Sequence, residues 1–315
     1  MHCRLSGSKL EIYGLTQNIE TKEYMMVFQY ANKGDLYNYL KSNFEEITWE
    51  DKLSLLIDIS KDLIKIHQAG YIHCDLHCGN ILQNESWLGS LKSYIADLGF
   101  SRKSDESILK NQIYGVMPYV APEILLCQQY TSAADIYSFG VIMAEMTTGI
   151  RPFYGHKFDV NLALEICCGK RPKFAEETPN CYIEFAELCM HPDSQKRPTA
   201  ETIHNKLSEW HSLVKESDKS DEFDDSNEID EYDEFNESNE SNEISQIVSE
   251  FMAADKRIPE LLIILKEHPD IVYASKLINI SDIVQQYKVR NNQHSKYDVG
   301  DENKKRTNQP DICVS

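Results

Sequence analysis

Residues 71–82 read YIHCDLHCGNIL: two short apolar runs, YI and NIL, with a polar loop between them. Runs this short are read as buried strands, because buried backbone must pair its N–H and C=O groups. A loop between two such strands has little freedom. It holds Asp75 and Asn80, a carboxylate and an amide, at a fixed separation.

Three chemistries suit such a loop. His73, Cys74, His77 and Cys78 are all good zinc ligands, but a structural zinc site draws its ligands as two separated pairs. The remaining cysteines (Cys3, Cys127, Cys167, Cys168, Cys181, Cys189 and Cys313) supply no second pair of matching spacing. A Cys–His nucleophile needs geometry that adjacency in sequence does not provide. The third reading makes Asp75 the actor. Downstream, YIADLGFS (94–101) repeats the pattern, with Asp97 at the end of an apolar run and Gly99 after it. A second carboxylate at a strand end suits a divalent cation.

The surrounding pattern favours a large helical unit. KLEIYGL and EYMMVFQY, within 8–30, read as two strands. DLYNYLKSN reads as a short helix capped by Asp35. Residues 48–70 place Leu53, Leu56, Ile57, Ile59, Ser60, Leu63 and Ile66 near helical spacing. Thr48 and Asp51 open that helix as a capping box, and Gly70 ends it. From 124 to 210 the pattern stays helical.

Charge divides the chain. Residues 1–210 hold 20 basic and 27 acidic side chains; residues 211–315 hold 12 and 24. No basic patch suggests nucleic acid, and the acidity argues against an anionic membrane surface. Nine cysteines without framework spacing fit reduced thiols, hence a cytoplasmic or nuclear protein. No stretch reads as a signal peptide or reaches the length of a spanning helix. Residues 216–243 contain 14 acids and one Lys, which marks 211–243 as an acidic disordered linker. Residues 244–290 then read as a helical tail, with Ile244, Ile247, Val248, Phe251 and Met252 on one face. The tail either packs on its own lobe or binds a protein partner. Residues 291–315 read as disordered.

H-C-D-x-x-x-x-N at 73–80, D-L-G at 97–99 and APE at 121–123 resemble, in order and rough spacing, the signature of the protein kinases. DIYSFGVIMAEMTTGIRPF (135–153) is similar to the buried helix of the kinase large lobe. HPDSQKRPTA (191–200) resembles the segment whose Arg pairs with the APE glutamate. The resemblance covers roughly residues 8–210 and is closest to the tyrosine-kinase-like group, which has a large fungal expansion. It implies an α+β kinase fold over 1–210, with a mostly helical large lobe and a truncated β small lobe. It also implies transfer of the γ-phosphoryl group of ATP, with Mg2+, to a protein hydroxyl. Asp75 would orient the accepting hydroxyl, and Asp97 and Asn80 would hold metal. Phe28, Gln29, Ala31 and Leu82 would surround the adenine, and Asp35 would reach the ribose. Glu123 and Arg197 would form a buried ion pair, and Asp135 would brace the loop.

The chain departs from the family pattern in several places. Nothing in MHCRLSGSK matches the Gly-rich loop, the strand Lys or the helix Glu of a small lobe. Two remaining strands would leave an apolar face uncovered. Cys74 stands where most of the family carries Arg, so phosphorylation at Ser101, Ser104, Ser107 or Tyr114 is not expected to switch the site by the usual pairing. His77 replaces Lys and Val116 replaces Thr, so the choice between Ser/Thr and Tyr stays open; Leu98 replaces Phe, a tolerated apolar swap. A pseudokinase or truncated kinase acting as a protein-binding scaffold is the alternative.

Overall fold

The computed structural model describes residues 10–104, 112–221, 239–256 and 273–290. The expected C-terminal segment 291–315, most of the acidic linker and Ser107 lie outside the described residues.

Ile12–Gln17 (β1) and Tyr24–Phe28 (β2) pair as an antiparallel hairpin. The Asn18 side chain closes its turn by accepting from the N–H groups of Glu20 and Thr21. Leu15, Tyr24, Met25 and Met26 remain exposed, as the two-strand reading implies. Beyond the hairpin, Asp35 caps Leu36–Asn43 (α1), accepting from Asn38 N at 2.9 Å.

Trp49–Gln68 (α2) begins with the reciprocal box expected from sequence. Asp51 N donates to Thr48 Oγ1 at 3.2 Å, and Thr48 N donates to Asp51 Oδ2 at 3.1 Å. Leu53, Leu56, Ile59, Leu63 and Ile66 are all buried, which is the apolar stripe read from the spacing. Gly70, at φ +76°, donates its N–H to His67 O and turns the chain into the loop. Two short ribbons frame that loop. Tyr71–Ile72 (β3) pairs with Arg102–Lys103 (β6), and Ile81–Glu85 (β4) pairs with Leu91–Ile95 (β5).

Gln112–Gly115 (β7) and Pro122–Leu125 (α3) lead into Ser132–Thr148 (α4), buried all round from Ala134 to Thr147. A Cβ on Gly140 would lie 2.9 Å from Ala186 O, so only glycine lets α4 approach Asn180–Cys189 (α6) this closely. Val160–Cys167 (α5) lies between them in sequence. Arg197 forms a bidentate pair with Glu123, both N···O distances being 2.7 Å. Its Nε and Nη1 also donate to His191 O and Ala133 O. A buried guanidinium with this many acceptors ties three segments together.

Two boundaries differ from the sequence reading. Ala200–Asp221 (α7) continues past residue 210, into the expected linker. Val214 extends its buried stripe, and His211 and Lys215 stand 3.7 and 3.6 Å from Glu50 of α2. Asn239–Asp255 (α8) likewise starts inside the acidic segment. Its Phe251 is fully buried, with ring centroids 5.2 Å from Trp49 and 5.9 Å from Trp210. The tail is also not helical throughout. Lys276–Asn279 (β8) is a strand pairing antiparallel with β7, followed by a helix over 280–290. An open strand edge on β7 offers backbone partners that a lone helix cannot use. Among the described residues, no helix is long and apolar enough to cross a membrane.

Phe251→Ala removes the ring that docks α8. It should lower the stability of the lobe by about 3–5 kcal/mol in a denaturant titration. A loss under about 1 kcal/mol would mean that α8 does not contribute to the fold.

Lys52 is buried between the rings of Phe44 and Trp49, its Nζ 4.8 and 4.9 Å from their centroids. Burial lowers its pKa from 10.5 to about 8, against the opposing pull of Asp255 and Asp51. Between about pH 8 and 10.5 the unfolded chain therefore binds more protons at this site than the folded one. Its contribution to stability rises with pH across that window, by roughly 3 kcal/mol. Lys52→Met should abolish this rise, measured as the difference between the variant and wild-type denaturation midpoints at pH 7.5 and 10.

Candidate active site

The loop after β3 is built around one carboxylate of α4. Asp135 Oδ2 accepts from His73 N at 2.8 Å, and its Oδ1 accepts from Cys74 N at 3.0 Å. His67 Nε2, at the end of α2, adds a third donor at 2.9 Å. These bonds hold Cys74 at φ +70°, a left-handed conformation that costs a non-glycine residue about 1 kcal/mol or more. The reversal turns Asp75 inward, 4 % exposed. His73 is fully buried, its Nδ1 accepting from Asp75 N and its Nε2 donating to Ala96 O.

Asn80 ends the 3₁₀ turn Cys78–Asn80, and its Nδ2 donates to Asp75 O at 2.9 Å and to Asp75 Oδ2 at 3.3 Å. Ala96 N donates to Asn80 O at 2.8 Å, tying Asn80 to the residue before Asp97. Asp97 is a second left-handed non-glycine, at φ +53°, with its Oδ1 accepting from Gly99 N. The structure thus brings Asp75, Asn80 and Asp97 together from a loop and a strand end.

Beside them lies a cavity of about 200 Å³, lined by Leu10, Ile12, Phe28, Gln29, Leu82 and Asp97 among others. Phe28, Gln29 and Leu82, which the resemblance sets around the adenine, line this one slot. Ala31 is buried and does not line the slot, and its carbonyl accepts from Gly34 N. Asp35 pairs with Leu82 in an isolated bridge, but its carboxylate is engaged at the start of α1, with Asn38 N and Nδ2. Asp62 and Lys65, which line the slot from α2 as an ion pair at 3.0 Å, belong to no motif.

The histidine and cysteine side chains of the loop reach different partners. Cys74 Sγ points to Ile72 O. His77 Nδ1 accepts from Gly79 N, and its Nε2 lies 3.3 Å from Ser275 Oγ. Among the described residues, no group of three or more His, Cys, Asp or Glu is placed to hold a metal by itself. A Mg2+ ion does not need one, since one or two carboxylates with phosphate oxygens and waters complete its octahedron. The Asp97 carboxylate and Asn80 Oδ1 are hard oxygens of that kind, so the donor set fits Mg2+.

Ser275 was not visible as a site residue in the sequence. Its hydroxyl donates to Asp75 Oδ2 at 2.6 Å. Burial pushes the Asp75 carboxyl up, but the contacts from His77 and Ser275, with the nearby His73, outweigh it and hold its pKa below the usual aspartate value. His77 Nε2 stands 3.7 Å from Asp75 Oδ1, beyond hydrogen-bond reach. The loop thiols have no such activation. Burial first, then the Asp135 carboxylate, pushes the Cys74 thiol far up, and burial does the same to Cys78.

A family model described as protein tyrosine and serine/threonine kinase matches residues 8–207. The chain belongs to this protein kinase family. A probable serine/threonine-protein kinase of Dictyostelium discoideum is 30% identical over 185 residues, covering 58% of this chain and 11% of that protein. A second from the same organism, roco5, is 33% identical over 194 residues, covering 58% and 7%. The wall-associated receptor kinase-like 3 of Arabidopsis thaliana is 28% identical over 221 residues, covering 64% and 30%. The chain spans less than a third of the length of each of these relatives.

The thiol assignment has a direct check. Alkylation at pH 8 should modify the exposed Cys127 and Cys168 first, leaving Cys74, Cys78 and Cys189 slow until the chain unfolds. Fast labelling of Cys74, read by peptide mass spectrometry, would restore the thiol-nucleophile reading.

Proposed function

We propose that this chain is a protein kinase that transfers the γ-phosphoryl group of ATP to a protein serine or threonine hydroxyl, tyrosine being the less supported acceptor. The observation that carries the reading is the junction of Asp75, Asn80 and Asp97, the last of which lines the slot together with Phe28, Gln29 and Leu82. In this reading the slot takes the purine, with Ala31 behind it and Asp35 toward the sugar. Asn80 Oδ1 and the Asp97 carboxylate hold Mg2+, which offsets the charge on the phosphates. Asp75, kept ionised, accepts the hydrogen bond of the acceptor hydroxyl and aims its oxygen in line. The transferring group carries charge that positioned cations and dipoles stabilise, so positioning supplies most of the rate.

Several further assignments belong to the same reading. The kinase domain, read from sequence as 1–210, is taken through the end of α7 at Asp221; the acidic segment follows, and the tail read as 244–290 opens with α8 at Asn239. Membership of the tyrosine-kinase-like group belongs to this reading and agrees with a family model that covers both tyrosine and serine/threonine kinases. A cytoplasmic or nuclear site in signalling is supported by the thiols of Cys74, Cys78, Cys167, Cys181 and Cys189, none of which is in a disulfide. The protein partner of the tail is first of all the lobe itself, since Phe251 is buried against Trp49 and Trp210.

Mg2+-dependent ATP binding by calorimetry, wild type beside Asp97→Ala, tests the reading. The wild type should bind and the variant should lose at least about tenfold in affinity, a difference of about 1.4 kcal/mol. Equal binding, or none in either, would overturn it.

A further inference from the structure

We propose that residues 273–279 fill the protein-substrate groove of their own chain and present Ser275 Oγ as the phosphoryl acceptor. The proposal rests on the kinase reading and deepens it, because it names the acceptor class as a serine hydroxyl on an extended strand.

Three independent placements carry it. The first is the pairing of β8 with β7, in which Gly115 faces Lys276 and Gln112 faces Asn279. The Gly115 end of this ribbon abuts the loop, for a Cβ there would lie 3.7 Å from Asp75 Oδ1. The residue preceding Lys276 is therefore delivered to Asp75 by the register alone. The second is the hydroxyl itself. Ser275 Oγ donates to Asp75 Oδ2 at 2.6 Å, and His77 Nε2 lies 3.3 Å from the same oxygen. With His77 Nδ1 occupied as acceptor for Gly79 N, Nε2 is the donor nitrogen. His77 thus donates to Ser275 Oγ while that oxygen donates to Asp75. The third is the anchoring on both sides. Tyr273 Oη donates to Pro152 O at 2.9 Å, its ring meets Phe158 edge-on at 4.8 Å, and the Arg151 guanidinium lies 4.6 Å from its centroid. On the other side Ile278, Ile280 and Ile283 are 4, 1 and 1 % exposed.

The short reach of a serine suits this placement. The strand backbone runs close to Asp75, so a tyrosine hydroxyl at the same position would overshoot the carboxylate. In the reaction, the bond from Ser275 Oγ to the γ-phosphorus of ATP forms. The bond from that phosphorus to the β,γ-bridging oxygen breaks, and ADP leaves with its electron pair. The Oγ proton passes to Asp75 and then to solvent. Nothing is oxidised or reduced. The product carries a charge near −2 beside the Asp75 carboxylate, so like-charge repulsion favours release of the segment and opens the groove to other proteins.

The full-length chain tests this in two arms. In the first, wild type, Ser275→Ala and Ile278→Asp are incubated with Mg2+ and ATP, with and without a synthetic peptide spanning residues 270–282. Phosphorylation is mapped by mass spectrometry across a range of protein concentrations. The wild type should modify Ser275 at a rate per molecule independent of concentration. Ser275→Ala should lose that site and no other. Ile278→Asp, which puts a charge into an apolar anchor, should phosphorylate the added peptide about tenfold faster than wild type by vacating the groove. Phosphate on the peptide with none on Ser275, or a rate at Ser275 that rises with concentration, would overturn the acceptor assignment. In the second arm, hydrogen exchange is followed without nucleotide. Amides of 112–115 and 276–279 should exchange about tenfold slower in wild type than in Ile278→Asp, with α2 amides unchanged as the folding control. Equal exchange would overturn the groove assignment. Transfer to neither acceptor would count against the kinase reading, while the exchange arm still decides whether the segment fills the groove.

Discussion

The Asp135 carboxylate is the interaction on which the candidate site depends. It sits on a helix buried all round and accepts the backbone N–H groups of His73 and Cys74 together with the His67 imidazole. A buried carboxylate held by this many donors keeps its geometry. The left-handed turn at Cys74 persists because these bonds over-determine it, and that turn is what directs Asp75 inward, toward Ser275. Asn80 and Asp97 then follow from the strand pair β4–β5 and from the Ala96 to Asn80 bond. A carboxylate on a separate helix therefore sets the positions of Asp75, Asn80 and Asp97.

A second dependence runs through aromatic packing. Trp49 opens α2 and meets Tyr182 at 4.9 Å and Phe251 at 5.2 Å. Trp210 meets Phe185 at 5.6 Å from the far side. Four helices, α2, α6, α7 and α8, share this cluster, so α8 is part of the lobe rather than an appendage beside it. Trp49 N donates to Asp255 Oδ1 at 2.7 Å, fixing the end of α8 to the start of α2. Farther along the chain β8 pairs with β7, which couples the tail to Asp75 through Ser275.

Much of the lobe was legible because its signals are local. The Thr48–Asp51 box, the stripe along α2, the Asp35 cap and the Gly70 stop each follow from side chains within a few residues of one another. The pairing of Glu123 with Arg197 and the placement of Phe28, Gln29 and Leu82 around one slot were legible only through family resemblance, since 74 residues separate the ion pair. The helix end at 210 was misplaced for a physical reason. The acidic composition begins there, but His211, Val214 and Lys215 still find partners on the lobe.

The strand at Lys276–Asn279 and the role of Ser275 had no sequence signal. KLIN sits among apolar clusters that read equally well as helix, and a serine before it is unremarkable in composition. By itself the sequence determined the helices, their caps and the identity of the chemical groups in the loop, because periodicity and capping depend on neighbours along the chain. Only the tertiary structure decided that a hydroxyl 200 residues away would meet Asp75. Strand pairing is non-local, and an open edge on β7 accepts whichever segment the fold brings to it.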